Sequence, residues 1–179
     1  HEFSTKKVIL FPGDNQQLSM HADGLLLLTL ISGRNPDLLI GQHVKSAFKI
    51  KETGIEVLPC GYLLIESEEL TSAIYMSGSL PIPRNKSDLA AATALAGVQL
   101  GLQFIYLDTG SGSKLTVENK IIQEVKSNIN VPLFVGGGIN NQHQLENAWK
   151  AGADIAVVGS CIEKDFKKMF DFKKLSSWN

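Results

Sequence analysis

The 179-residue chain balances 17 lysines and arginines against 18 aspartates and glutamates, a formal charge of −1. With no block of like charge, this argues against a nucleic-acid footprint or an electrostatic membrane anchor, and the length fits one domain with a sizeable core. The most apolar stretch, GLLLLTLI at 24–31, falls far short of the ~20 residues that cross a bilayer, and no charged leader precedes it, so a soluble, cytoplasmic protein is expected.

In chain order, strand-length apolar runs occupy 7–11 (KVILF), 24–30 (GLLLLTL), 55–66 (IEVLPCGYLLIE), 103–108 (QFIYLD), 131–135 (VPLFV) and 154–159 (DIAVVG). They are nearly continuous rather than alternating, as in strands covered on both faces of a parallel sheet. Helical patterns separate the last four: 87–101 is alanine-rich, 116–128 spaces Val117, Ile121 and Val125 four apart, and 141–152 sets Leu145, Ala148 and Trp149 on one side before stopping at Gly152. Strand–helix alternation fits a (β/α)₈ barrel or an open doubly wound sheet. Six strands instead of eight imply, for a barrel, that the first two βα units are absent from these residues, which leaves 1–179 as a single, N-terminally incomplete barrel domain.

Three successive strands end in small residues, YLDTGSGS (106–113), FVGGGIN (134–140) and VVGSCIE (157–163). In a parallel βα architecture these ends share one rim, each leading into a helix or helical turn with unpaired amides. Those amides, with the hydroxyls of Ser111, Ser113 and Ser160, suit a compact dianion such as a phosphate monoester. On this reading the glycines at 136–138 keep side chains away from an anion that the backbone binds. No GxGxxG follows the first strand and no GxxxxGK[ST] occurs, so dinucleotide and nucleoside triphosphate chemistry lack support.

Asp108 ends its strand beside TGSG, where its carboxylate faces the proposed phosphate; a turn-capping role is the alternative. Tyr106 shares its side of the strand and serves either substrate or core. Pro81 and Pro83 break regular structure just before Lys86, which either neutralises an anionic substrate or is solvated beside a helix start, and Asp88 suits that start. His1, His21, His43 and His143 form no ligand spacing. Cys60 and Cys161 read as reduced thiols, with one long-range disulfide as the alternative.

The ordered set LPIPRNKSDLAAATALAG, YLDTGSGS, FVGGGIN and ADIAVVGSCIE, with VILFPG and SGRNPDLLIG earlier, resembles the geranylgeranylglyceryl phosphate synthase family, which includes bacterial heptaprenylglyceryl phosphate synthases. The resemblance spans nearly the whole chain and implies a modified TIM barrel. It also implies Mg²⁺-assisted transfer of a prenyl group from a prenyl diphosphate to the 3-hydroxyl of sn-glycerol 1-phosphate, for ether lipids. Tyr106 and Asp108 match the family's tyrosine and acidic residue, with Asp where many members have Glu, so that the carboxylate acts through water or a shifted backbone. Gly110, Ser111, Gly112, Gly136, Gly137, Gly138, Gly159 and Ser160 match its phosphate loops, and Lys86 its lysine. The family's Asp-Pro-Asp-Lys type segment, implicated in Mg²⁺ and diphosphate binding, has no counterpart, so the metal ligands are unknown. A homo-oligomer and transient contact with a membrane complete the expectation.

An apolar prenyl groove is expected around 61–83, where Tyr62, Ile74, Tyr75 and Met76 stand beside small residues. Two rival readings stay open: another sugar-phosphate barrel enzyme, which requires an inward acid/base pair or Schiff-base lysine, and a catalytically silent phosphate-binding module.

Overall fold

A computed structural model describes residues 6–14 and 17–173. Six parallel strands, β1 (Ile9–Leu10), β2 (Gly24–Leu30), β3 (Glu56–Leu64), β4 (Phe104–Asp108), β5 (Leu133–Gly136) and β6 (Ile155–Ala156), form one curled sheet in strict sequence order. That order decides between the two expected architectures: a doubly wound sheet reverses direction at a switch point, whereas a barrel adds each strand beside the last. The described strands are the consecutive staves of a TIM-type barrel.

Both faces of the central strands are covered, which explains their continuous apolar runs, while Ile9 in β1 and Ile155 in β6 are exposed. On the outer face Leu63, Ile105, Leu107, Leu133 and Val135 pack beneath α3 (Ser87–Gln99), α4 (Asn119–Asn128) and α5 (Gln142–Lys150). The expected helices at 87, 116 and 141 are therefore present, trimmed by a few residues at their ends. Ile121, Ile122 and Val125 are the buried stripe of α4, and Asn141 caps α5 by accepting the Gln144 amide at 3.0 Å. On the inner face Leu26, Cys60, Tyr106 and Phe134 form a second core with Tyr62 and Phe104 packed against it.

The helical turn expected after the last strand is present at Ser160–Lys164, whereas the remaining helices were not legible. Asp37–Gly41 makes a π-helical turn that runs into α1 (Gln42–Thr53), which stops at Gly54 in the left-handed region (φ 66°). Its apolar residues are split between a core side, with Ile50 buried, and an outward side, with Val44 and Phe48 exposed, so no single stripe marks it. The short α2 (Ser72–Ser77), α6 (Ser160–Lys164) and α7 (Lys168–Lys173) complete the described helices. Between Pro81 and Pro83, Ile82 bridges Ile65 just beyond the end of β3, which brings the proline segment to the same rim. Cys60 and Cys161 are buried and unpaired. His1 lies outside the described residues. Among those residues, no helix is long and apolar enough to cross a membrane.

Candidate active site

Strand register builds the site. Tyr62 stands opposite Tyr106, Leu64 opposite Asp108, and Asp108 opposite Gly136, so the inward residues of three strand ends meet at the rim. One oxygen of Asp108 accepts the Gly110 amide at 2.7 Å and the other accepts the Tyr62 hydroxyl at 2.5 Å. The residue is buried, and this desolvation pushes its carboxyl pKa up; the bonds from Tyr62 and Gly110 oppose the rise by favouring the charged form. Burial, then the Asp108 charge, pushes both Tyr62 and Tyr106 above the ordinary phenol range, so both are neutral hydroxyls. Tyr106 is wedged among Phe11, Tyr62 and Phe134, with ring centroids 5.2, 5.4 and 5.8 Å away.

The glycine loops close around this carboxylate. Ser160, at the start of α6, joins the loop after β4: its hydroxyl lies 3.1 Å from that of Ser111 and accepts the Gly112 amide at 3.1 Å. Gly159 provides no side-chain cap for α6. The amides of Gly137, Gly138 and Ser160 are used by no hydrogen bond among the described residues. Open amides at adjoining turns and at a helix start are groups that favour an anion.

The three glycines at 136–138 answer to more than an anion. A side chain on Gly136 would meet the Tyr106 hydroxyl, one on Gly137 would strike Thr109 and Asp108, and one on Gly138 would strike the Leu115 carbonyl; Gly137 and Gly138 also have φ of 82° and 70°. The loops interlock before any ligand arrives. These packing demands come in addition to the close approach of an anion expected from the sequence.

The PcrB family profile matches residues 4–175. The chain belongs to the PcrB family. It is 50% identical over 163 residues to a protein named geranylgeranylglyceryl phosphate synthase from Spirosoma linguale, covering 91% of this chain and 66% of that one. A protein of the same name from Zunongwangia profunda is 49% identical over 161 residues, with coverages of 89% and 69%. Among solved structures, (S)-3-O-geranylgeranylglyceryl phosphate synthase from Thermoplasma acidophilum, in complex with its substrate sn-glycerol-1-phosphate, matches with a TM-score of 0.88 at 28% identity, over 94% of this chain and 67% of that one. The chain thus spans about two thirds of the length of the relatives it matches.

Within this PcrB-family chain, Tyr106, Asp108, Gly110, Ser111, Gly112, Gly136, Gly137, Gly138, Gly159 and Ser160 converge at one rim. The amides of Gly110 and Gly112 are engaged by Asp108 and Ser160, and Ser113 is turned inward, donating to the Leu115 carbonyl at 2.8 Å. Lys86 is exposed at the start of α3, at the β3 end of the same rim, with no ion pair among the described residues. The cation fastened there is Arg84, bonded to Glu118 at 3.2 Å and to the Glu66 carbonyl at 3.3 Å. Sequence reasoning assigned Tyr62 to a prenyl groove and missed its bond to Asp108, which depends on strand register. It also missed Thr109, fully buried, whose hydroxyl donates to the Leu115 carbonyl at 2.8 Å and fixes the loop; the buried threonine beside an aspartate was the available signal.

Proposed function

We propose that this protein, in its full-length form, transfers a prenyl group from a prenyl diphosphate to the 3-hydroxyl of sn-glycerol 1-phosphate and releases diphosphate. The observation that carries the reading is the set of open amides at Gly137, Gly138 and Ser160 beside the buried Asp108 carboxylate. A phosphate held by those amides leaves the glycerol chain within reach of Asp108. Kinship with proteins named for this product, and a fold shared with one that binds sn-glycerol-1-phosphate, supports the same assignment.

In the proposed step the allylic carbon–oxygen bond of the diphosphate breaks, the glycerol oxygen bonds to that carbon, and the hydroxyl proton passes to Asp108. A carboxylate is too weak a base to ionise an alcohol beforehand, so the proton moves late, as the ether forms. Burial makes Asp108 a stronger base than a solvated aspartate, and Tyr62 fixes its orientation. Diphosphate leaves as an anion; Lys86, exposed at the same rim, supplies positive charge. The Mg²⁺ implied by family resemblance finds no cluster of three or more His, Cys, Asp or Glu among the described residues, so these residues do not fit a metal site and no step is routed through one. Leu70, Tyr75, Met76 and Leu80 expose apolar surface around α2, where a hollow of about 300 Å³ opens, and this suits the prenyl tail.

The test is a product assay by mass spectrometry on the full-length protein with geranylgeranyl diphosphate, longer prenyl diphosphates and either enantiomer of glycerol phosphate. Ether product from the sn-1 enantiomer is expected. Tight glycerol phosphate binding without product from any donor would overturn the transferase reading in favour of a silent binding module.

A further inference from the structure

Two ion pairs join the segment after β3 to the loop after β4, and they are unequal. Lys114 meets Glu69 at 2.5 Å with both side chains in solvent, 71% and 60% exposed, and such a pair contributes little. Arg84 meets Glu118 with its own side chain 20% exposed, and it is fastened three times. Its Nε donates to the Glu118 carboxylate at 3.2 Å, its Nη1 to the Glu66 carbonyl at 3.3 Å, and its backbone amide to the Glu66 carboxylate at 3.1 Å. Glu118 stands immediately before α4 and ends the loop that carries Gly110, Ser111 and Gly112. On the other side of Arg84, the Lys86 amide donates to the Pro83 carbonyl at 3.0 Å, a tight turn with Arg84 and Asn85 at its corners, and α3 begins at the next residue.

We propose that Arg84 is a positioning residue for Lys86: by bracing the Pro83–Lys86 turn against Glu66 and Glu118, it holds the Lys86 ammonium at the rim, where that charge meets the departing diphosphate. The proposal rests on the role given to Lys86 above. Backbone bonds secure the chain before this turn, the Ile82 amide donating to the Leu64 carbonyl at 2.8 Å and the Glu66 amide to the Ile82 carbonyl at 2.9 Å. Pro83 then has no N–H to continue the pattern, and the sideways tie passes to Arg84. A lysine on a flexible four-carbon stem can be directed only by fixing the place where the stem leaves the chain, and that place is this turn. Arg84 is poorly suited to bind the anion itself, because its charge is matched by Glu118 and two of its guanidinium nitrogens are already donating, whereas Lys86 has no ion pair among the described residues. The planar fork of arginine suits a brace between elements 34 positions apart.

The test is calorimetric binding of inorganic diphosphate to the full-length protein, with circular dichroism confirming that each variant is folded. Lys86→Ala should weaken binding by roughly tenfold or more, as for a lost bond to a charged group. Arg84→Gln should cause most of the same loss, yet change binding by less than about twofold in the Lys86→Ala background, since two residues acting through one contact are not additive. Glu118→Ala separates position from charge: deleting a negative charge should tighten anion binding on charge alone, whereas loss of the brace should weaken it. Arg84→Lys keeps the charge but not the fork, and should weaken binding too; these two variants carry the test if Arg84→Gln does not fold. Losses that multiply in the double variant, tighter binding by Glu118→Ala, or wild-type binding by Arg84→Lys would each overturn the proposal while leaving Lys86 its role. Wild-type binding by Lys86→Ala would remove that role and the proposal with it.

Discussion

In the loop after β4, Gly112 has φ of 78° and open space where a side chain would stand; in the loop after β5, Gly137 has nearly the same φ, 82°, but packs against Thr109 and Asp108. The two positions look alike in sequence and in backbone. The first needs glycine for its conformation alone, while the second also needs it so that two loops can interlock behind the Asp108 carboxylate. Glycine near a phosphate site is therefore no direct report of phosphate contact, and each position has its own consequence on substitution.

Gly137→Ala should do the most damage. Left-handed strain of about 1–2 kcal/mol adds to overpacking of about 1–3 kcal/mol, and the side chain pushes on Asp108 itself, so turnover and the denaturation midpoint should both fall steeply. A Gly137→Ala variant with wild-type midpoint would show that the loops do not interlock. Asp108→Asn comes next: turnover should fall by roughly 10²-fold or more, the usual worth of a positioned acid/base group, with a smaller change in glycerol phosphate binding measured by calorimetry. Near-normal turnover would leave Asp108 a loop-fixing residue.

Tyr62→Phe tests the same carboxylate from the other strand. The Tyr62 bond favours ionised Asp108 and so lowers its pKa against the upward push of burial; removing it lets the pKa rise. Because proton acceptance requires the ionised form, the acid limb of the kcat profile should move to higher pH, with rates recovering above it. An unmoved limb would mean that Tyr62 is structural only. Gly112→Ala should have the smallest effect, about 1 kcal/mol of backbone strain seen in the denaturation midpoint. A loss as large as that of Gly137→Ala would erase the contrast between the loops.

These cases also mark how far sequence reading reaches. The central strands were legible because burial on both faces makes each a nearly unbroken apolar run, β1 and β6 were legible as apolar runs although Ile9 and Ile155 are exposed, and the rim was legible because three of the runs lead into glycine. α1 was not, since Ile40, Val44 and Phe48 face outward and blur the period that Ile50 and Leu39 would have set. Nor was the Tyr62–Asp108 bond, made by residues 46 positions apart, because nothing in either segment states how β3 is aligned on β4. The interlocking of Gly137 with Thr109 was hidden for the same reason: it is a contact between loops, and sequence motifs describe loops one at a time.

The two cysteines offer separate clocks for the molecule's motions. Cys60 sits in the middle of β3, fully enclosed, with its thiol pushed up by burial to about 12, so a thiol reagent reaches it only when the sheet itself comes apart. Cys161 is also buried, but in the five-residue, uncapped α6, with its thiol turned to the Ile139 carbonyl at 3.6 Å; lifting that one turn is enough to expose it. Labelling followed by mass would then give two rates from one sample, a faster one for local opening of the rim and a slower one for global unfolding, and a phosphate bound at Ser160 would slow the first while leaving the second nearly alone.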